Sequence, residues 1–279
     1  MTRLSARFTA LRTSNIKGLV PFITAGDPDL EATRRLIHEF DRADVDAIEL
    51  GVPFTDPLAD GPTIQASSER ALASGTTLEK VFELAQSLQA TEPPSHRKRS
   101  DATVPLVLMT YYNPMLQYDL DRFAARCREC GVDGIIATDL PPEEAEPWIA
   151  AARKHDVDTV FLLAPTSTDE RVRHACELAT GFIYCVSRLG VTGARETVPA
   201  DLGELIGRLR KHTDKPIAAG FGFSTPEQIR KVLSETSLDA IVVGSAIVNR
   251  IVLEDTRTED GIHQVGDFVR ELKAATHKE

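Results

Sequence analysis

The chain has 279 residues, 42% of them hydrophobic and 6% aromatic, with a formal net charge of -10. That length suits one large core, and an α/β barrel of about 250 residues is ordinary at this size. The acidic balance argues against nucleic acid held by a general field and against docking on an anionic membrane, so an anionic ligand must be held by local dipoles.

The first ten residues do not read as an export signal, because Arg3 and Arg7 interrupt them and no apolar core follows. Leu4, Phe8 and Leu11 lie instead on one face of a short N-terminal helix. No apolar run approaches membrane-spanning length. A cytoplasmic location is therefore expected, with Cys127, Cys130, Cys176 and Cys185 as reduced thiols. Cys127 and Cys130 form a C-x-x-C, but no second ligand pair is suitably spaced, so no metal site is expected.

From there, short apolar runs alternate with amphipathic stretches. The strand candidates are Leu19–Thr24, Ala47–Gly51, Leu106–Thr110, Gly134–Thr138, Thr159–Leu163, Phe182–Val186, Pro216–Ala219 and Ala240–Val243. Their near-continuous apolar character fits parallel strands covered on both faces. Between them the helical period places helices near Leu30–Arg42, Leu78–Gln89, Leu120–Cys130, Glu143–His155, Asp169–Ala179, Asp201–Lys211 and Pro226–Leu233, with a last one near Ile262–Ala275. Thr225 precedes Pro226 as a capping hydroxyl before a proline at the first helical position. Pro141 to Glu144 opens another helix with acids in its first turn. Residues 91–102, with two prolines and the run His96 to Arg99, read as a solvated loop inserted before the third strand. Strand–helix alternation from end to end predicts a single (β/α)8 barrel domain over 1–279.

In such barrels the chemistry sits at the C-terminal ends of strands and in the loops that follow. Glu49 lies inside the second apolar strand, where a carboxylate is costly unless it has a function or a partner. Burial raises its pKa toward the range useful for acid–base work. Asp60 follows in a loop stiffened by Pro53, Pro57 and Pro62, which gives two carboxylates in different environments. After the seventh strand come Gly220 and Gly222; after the eighth, Gly244 and Ser245 open a short helical stretch. Glycines let backbone amides approach an anion, and a helix start favours a phosphate dianion. Gly193, in the loop after the sixth strand, can add an amide on closure, and Tyr184 is a strand residue placed to line the pocket.

The segment from Glu49 to Pro62, E-L-G-V-P-F-T-D-P-L-A-D-G-P, resembles the signature of the tryptophan synthase α subunit family. Further agreement lies in Pro21–Pro28, Met109–Pro114, Asp139–Pro141, Ser187–Gly193, Gly220–Gly222 and Gly244–Val248, so the resemblance covers nearly the whole chain and the insertion departs from it. It implies retro-aldol cleavage of indole-3-glycerol phosphate to indole and glyceraldehyde 3-phosphate. Glu49 is then the acid–base group and Asp60 the ionised partner of the indole N–H. Phe22, Ile64, Leu108 and Met109 are implied as walls for the ring, and Thr192, Gly193, Phe221, Gly222, Gly244 and Ser245 as further substrate contacts. No cofactor is implied on this chain; pyridoxal phosphate is expected on a partner β subunit, within an α2β2 heterotetramer, with Asp56 at the interface.

Two other readings share some of these features. A sugar-phosphate isomerase or epimerase shares the glycine cradle but does not predict the Glu49–Pro62 segment. A non-catalytic phosphate-binding subunit is disfavoured by the intact Glu49 and Asp60.

Overall fold

The computed structural model describes residues 2–89, 104–186, 200–220 and 222–277. Eight strands, β1 (Gly18–Thr24), β2 (Ile48–Gly51), β3 (Leu106–Thr110), β4 (Gly134–Ala137), β5 (Asp158–Leu163), β6 (Ile183–Val186), β7 (Ile217–Gly220) and β8 (Ala240–Val243), pair in chain order, all parallel. β1 returns to β8, with Gly18 opposite Ala240 and Pro21 opposite Val243, and closes the barrel.

Alternation along each strand divides the core into two layers. Inward positions such as Val20, Ala47, Val107, Ile136, Val160, Phe182, Tyr184, Ala218 and Val242 fill the barrel. Outward positions such as Leu19, Ile48, Leu50, Leu108, Ile135, Phe161, Ile183 and Ile241 meet the helices. In β2 this parity turns Glu49, between outward Ile48 and Leu50, into the barrel. In β3 it turns Leu108 outward, between inward Val107 and partly inward Met109. Leu108 is therefore a helix-packing residue and not a wall of the ring site, a correction to the resemblance-based expectation.

The helices are α1 (Arg3–Thr13), α2 (Leu30–Arg42), α3 (Pro62–Ala73), α4 (Leu78–Gln89), α5 (Tyr112–Tyr118), α6 (Leu120–Glu129), α7 (Glu146–Lys154), α8 (Asp169–Leu178), α9 (Ala200–Leu209), α10 (Pro226–Glu235), α11 (Ser245–Leu253) and α12 (Glu259–Ala274). α2 shows why they form: Asp29 accepts from the Ala32 amide at 2.8 Å, while Ala32, Leu36, Ile37 and Phe40 recur on one buried face. In α10 the Thr225 hydroxyl caps the Gln228 amide, and Pro226 occupies the first helical position as the sequence indicates. α1 closes the bottom of the barrel: Leu4, Phe8 and Leu11 are buried, and Arg7 pairs with buried Asp46 at 2.7 Å.

Three differences from the sequence reading have local causes. The helix expected from Glu143 is a 3-10 turn, Pro142–Glu144, followed by a new helix at Glu146. Pro147 has no amide to bond the Glu143 carbonyl, so a continuous helix cannot pass it. α3 has no counterpart among the expected helices, because its buried face, Ser67, Ser68 and Ala71, is small and polar and leaves no apolar stripe. α5 is short and buries Met115. The inserted segment 91–102 lies outside the described residues.

Candidate active site

Glu49 is 1% exposed and stands level with Phe22 of β1 and Val107 of β3. Its Oε2 has no hydrogen-bond partner among the described residues. Burial pushes the carboxyl up to about 8, the hydrogen bond from Tyr184 offsets part of this, and the charge of Asp60 adds to it. A carboxylate removed from water and left half-satisfied relieves the penalty by keeping its proton. Tyr184 reaches it from β6, on the inner layer of the barrel. Gly220 of β7 makes room for that ring, since a Cβ there would lie 2.6 Å from the Tyr184 hydroxyl.

Asp60 sits in the loop between β2 and α3. Its amide donates to the Pro57 carbonyl at 3.0 Å, and Gln65 Nε2 donates to the Asp60 carbonyl at 2.9 Å, so the first turn of α3 holds the loop's end. The Tyr111 hydroxyl donates to Asp60 Oδ2 at 3.1 Å and accepts the Ala59 amide at 2.9 Å. Burial pushes Asp60 up to about 6, against the Tyr111 hydrogen bond. At pH 7 these positions favour the protonated form of Glu49 and the ionised form of Asp60. Two carboxyls whose environments set them on opposite sides of neutrality are suited to separate acid and anionic roles.

A cleft joins Asp60 to apolar walls from Phe22, Gly51, Val52, Ile64 and Met109, and to the hydroxyls of Thr24, Ser68, Thr110, Tyr111 and Thr138. The structure thus brings Phe22, Ile64, Met109 and Asp60 onto one surface, with Glu49 and Tyr184 in the adjoining barrel layer. Gly51 is required for the shape of this wall, because a Cβ there would lie 2.7 Å from Phe22 Cζ.

At the ends of β7 and β8, Gly222 adopts φ +72° with open space where a side chain would stand. Gly244 is the residue that precedes α11 at its N-terminus, its carbonyl accepting the Ile247 and Val248 amides. Ser245, exposed, is the first residue of that helix. Amides of a first helical turn have no partner within the helix and point toward an incoming anion. Thr192, Gly193 and Phe221 lie outside the described residues. Asp56 is exposed in the same loop as Asp60, its carboxylate accepting the Thr55 hydroxyl at 2.6 Å, with Leu58, two residues on, 91% exposed. Among the described residues no group of three or more His, Cys, Asp or Glu is placed to hold a metal, and Cys127 and Cys130 are buried around the end of α6. No helix of the described residues is long and apolar enough to cross a membrane.

The profile of the family described as "Tryptophan synthase alpha chain" matches residues 8–277. The chain belongs to that family. The tryptophan synthase alpha chain of Geotalea uraniireducens is 47% identical over 274 residues, which are 98% of this chain and 97% of that one. The alpha chain of Geobacter sulfurreducens is also 47% identical, over 99% of each chain. Among solved structures, the tryptophan synthase alpha subunit of Legionella pneumophila superposes with a TM-score of 0.87 at 33% identity, covering 99% of this chain and 98% of that one. A Mycobacterium tuberculosis tryptophan synthase structure gives 0.87 at 33% identity, covering 100% and 99%. The family's members are carbon–carbon lyases that work with a β subunit, and this chain is such a lyase.

The cleft is also lined by Tyr111 and Thr138, which the strand ends do not single out as site residues. Their signal was present: Tyr111 follows β3 and Thr138 follows β4 directly, at the barrel end that carries chemistry.

Proposed function

We propose that Glu49 and Asp60 carry out the retro-aldol cleavage of indole-3-glycerol phosphate on this chain. The observation that supports it most is the buried pair poised on opposite sides of neutral pH beside an apolar cleft. The bond to the glycerol chain breaks only if indole C3 gains a proton and the adjacent hydroxyl loses one. Glu49, protonated at neutral pH, gives its proton to C3. The resulting carboxylate takes the hydroxyl proton as the carbonyl forms, and the bonding pair returns to the ring. Glu49 ends protonated, so one group closes the cycle with no net proton change. Asp60, ionised, accepts the indole N–H and stabilises the cationic ring that follows C3 protonation. The ring is its own electron sink, so the chemistry calls for no metal or organic cofactor on this chain.

Phe22, Ile64 and Met109 hold the flat ring, with Tyr184 orienting Glu49. The phosphate is held by the amides of Gly222, Gly244 and Ser245, with Thr192, Gly193 and Phe221 completing the contacts from their loops. Neutral donors suit a chain of net charge -10. Gly222→Val is expected to raise KM at least tenfold while lowering kcat less. A β-branched residue disfavours positive φ by about 1–3 kcal/mol, and its side chain intrudes where the anion sits. Steady-state kinetics check this, and an unchanged KM would remove Gly222 from the phosphate site.

The whole chain acts as one barrel domain in the cytoplasm, within an α2β2 assembly whose β subunit carries the pyridoxal phosphate and receives the indole. Asp56 lies in the proline-framed loop that also carries Asp60, so a partner resting on Asp56 steadies Asp60 and completes the pair. The isolated chain is expected to release indole slowly and to be accelerated by its cognate β subunit. Asp56→Ala should reduce that acceleration more than the chain's own rate. Indole release from indole-3-glycerol phosphate, with and without β subunit, tests both points. No indole under either condition overturns the proposed reaction, and equal acceleration of the wild type and Asp56→Ala removes Asp56 from the coupling.

A further inference from the structure

We propose that Tyr111 is a positioning residue that clamps Asp60, and the loop carrying it, in the geometry that meets the indole N–H. The inference rests on the assignment of Asp60 to that N–H.

One hydroxyl makes two contacts to the same loop. It accepts the Ala59 amide at 2.9 Å and donates to Asp60 Oδ2 at 3.1 Å. A phenol has a single proton to give, and that proton is committed to the carboxylate. The ring makes a third contact: it stacks on Phe54, from the start of the same loop, with centroids 5.0 Å apart and planes at 28°. The loop is thus gripped at both ends, through Phe54 and through Ala59–Asp60.

The grip is anchored in the barrel. Tyr111 follows β3 directly and is 5% exposed. Its neighbours are tied on both sides, with the Val52 amide donating to the Met109 carbonyl at 2.8 Å and the Thr138 amide to the Thr110 carbonyl at 2.9 Å. A loop carboxylate ordinarily samples several rotamers; one fixed by a donor on a strand end keeps its oxygens aimed at one point. Among the described residues, Tyr111 supplies the side-chain hydrogen bond to Asp60.

The clamp has an electrostatic consequence that packing alone lacks. The titratable groups facing Asp60 are Glu49 from β2, Tyr184 from β6 and Tyr111. Glu49 ionises near 8, burial pushes Tyr184 well above the ordinary phenol, and burial with the Asp60 charge pushes Tyr111 up to about 12. Across the range where Asp60 titrates, the other three hold their protons, and Tyr111 donates to the ionised form.

The test compares wild type, Tyr111→Phe and Asp60→Asn for indole release across pH. For Tyr111→Phe, kcat should fall about tenfold with KM within about twofold, the pattern of a lost interaction that serves the transition state. The acid limb of kcat/KM should move to higher pH, because the donor that steadies ionised Asp60 is gone. A ring that merely packs would leave that limb in place. A folded Tyr111→Phe with wild-type kcat and acid limb overturns the clamp. If Asp60→Asn is itself fully active, the underlying assignment fails; if it is inactive while Tyr111→Phe is normal, only the clamp fails. A second measurement uses the wild-type chain with carbon-13 at the tyrosine ring carbon bearing the hydroxyl. The Tyr111 resonance should shift with the midpoint of the acid limb, and a resonance indifferent to that titration also overturns the inference.

Discussion

Glu49→Gln is expected to lose nearly all cleavage activity while keeping fold and substrate binding. The amide matches the carboxyl in size but can neither give a proton to C3 nor take one from the hydroxyl. Loss of a proton-transfer group lowers rates by about 10²–10⁴-fold. The fall should appear in kcat, with KM little changed, because the proton moves only in the transition state. A stability measurement isolates the same group. Its folded-state pKa, about 8, lies above the ordinary value of 4.5, so the unfolded chain ionises Glu49 first as pH rises. The stabilising contribution is full below 4.5 and is lost progressively up to about 8, on the order of a few kcal/mol across that window. Glu49→Gln has no such titration. Its melting temperature should therefore fall less than that of the wild type between pH 5 and pH 8. Near-normal indole release by a folded Glu49→Gln protein would sink the assignment; parallel melting curves would show that Glu49 is not held protonated.

Asp60→Asn should lower kcat/KM by a hundredfold or more, the scale of removing one preorganised charge-stabilising group. The neutral amide cannot balance the positive ring that C3 protonation creates. The wild type should show a bell. Activity falls as pH drops through about 6, where Asp60 gains a proton, and falls again as pH rises through about 8, where Glu49 loses one. In Asp60→Asn the acid limb should vanish. The alkaline limb should move to lower pH, because the negative charge of Asp60 helps hold the proton on Glu49. A variant that keeps both limbs and most of its activity would remove Asp60 from the chemistry and leave it a structural loop residue.

Much of this architecture can be read in the one-dimensional pattern. Apolar runs such as Leu106–Thr110 and Ala240–Val243 agree with the observed strands, and the Leu30–Arg42 and Leu78–Gln89 helices agree to the residue. They are legible because burial on both faces demands unbroken apolar strands, and because a helix packed on a sheet must repeat its apolar face every turn. Glu49 is conspicuous for the opposite reason, as a charge within such a run. α3 carries no such signal because it packs through serines and alanine, and the break at Ala145 is marked by Pro147 and not by the helical period.

The site divides along the same line. Residue identity determined that two carboxyls, paired glycines and proline-stiffened turns stand at strand ends, since those properties belong to the residue and its neighbours in the chain. Only the tertiary structure decided which of them meet. Strand parity sent Met109 inward and Leu108 outward, although both are apolar and adjacent. Barrel closure brought Tyr184, far along the chain, against Glu49, and Gly220 beside that tyrosine so that its ring fits. It placed Tyr111 beneath a loop fifty residues earlier, at hydrogen-bonding distance from Asp60. The pKa positions of the two carboxyls are likewise a product of the fold, because desolvation depends on every neighbour in space and a sequence records only the neighbours along the chain.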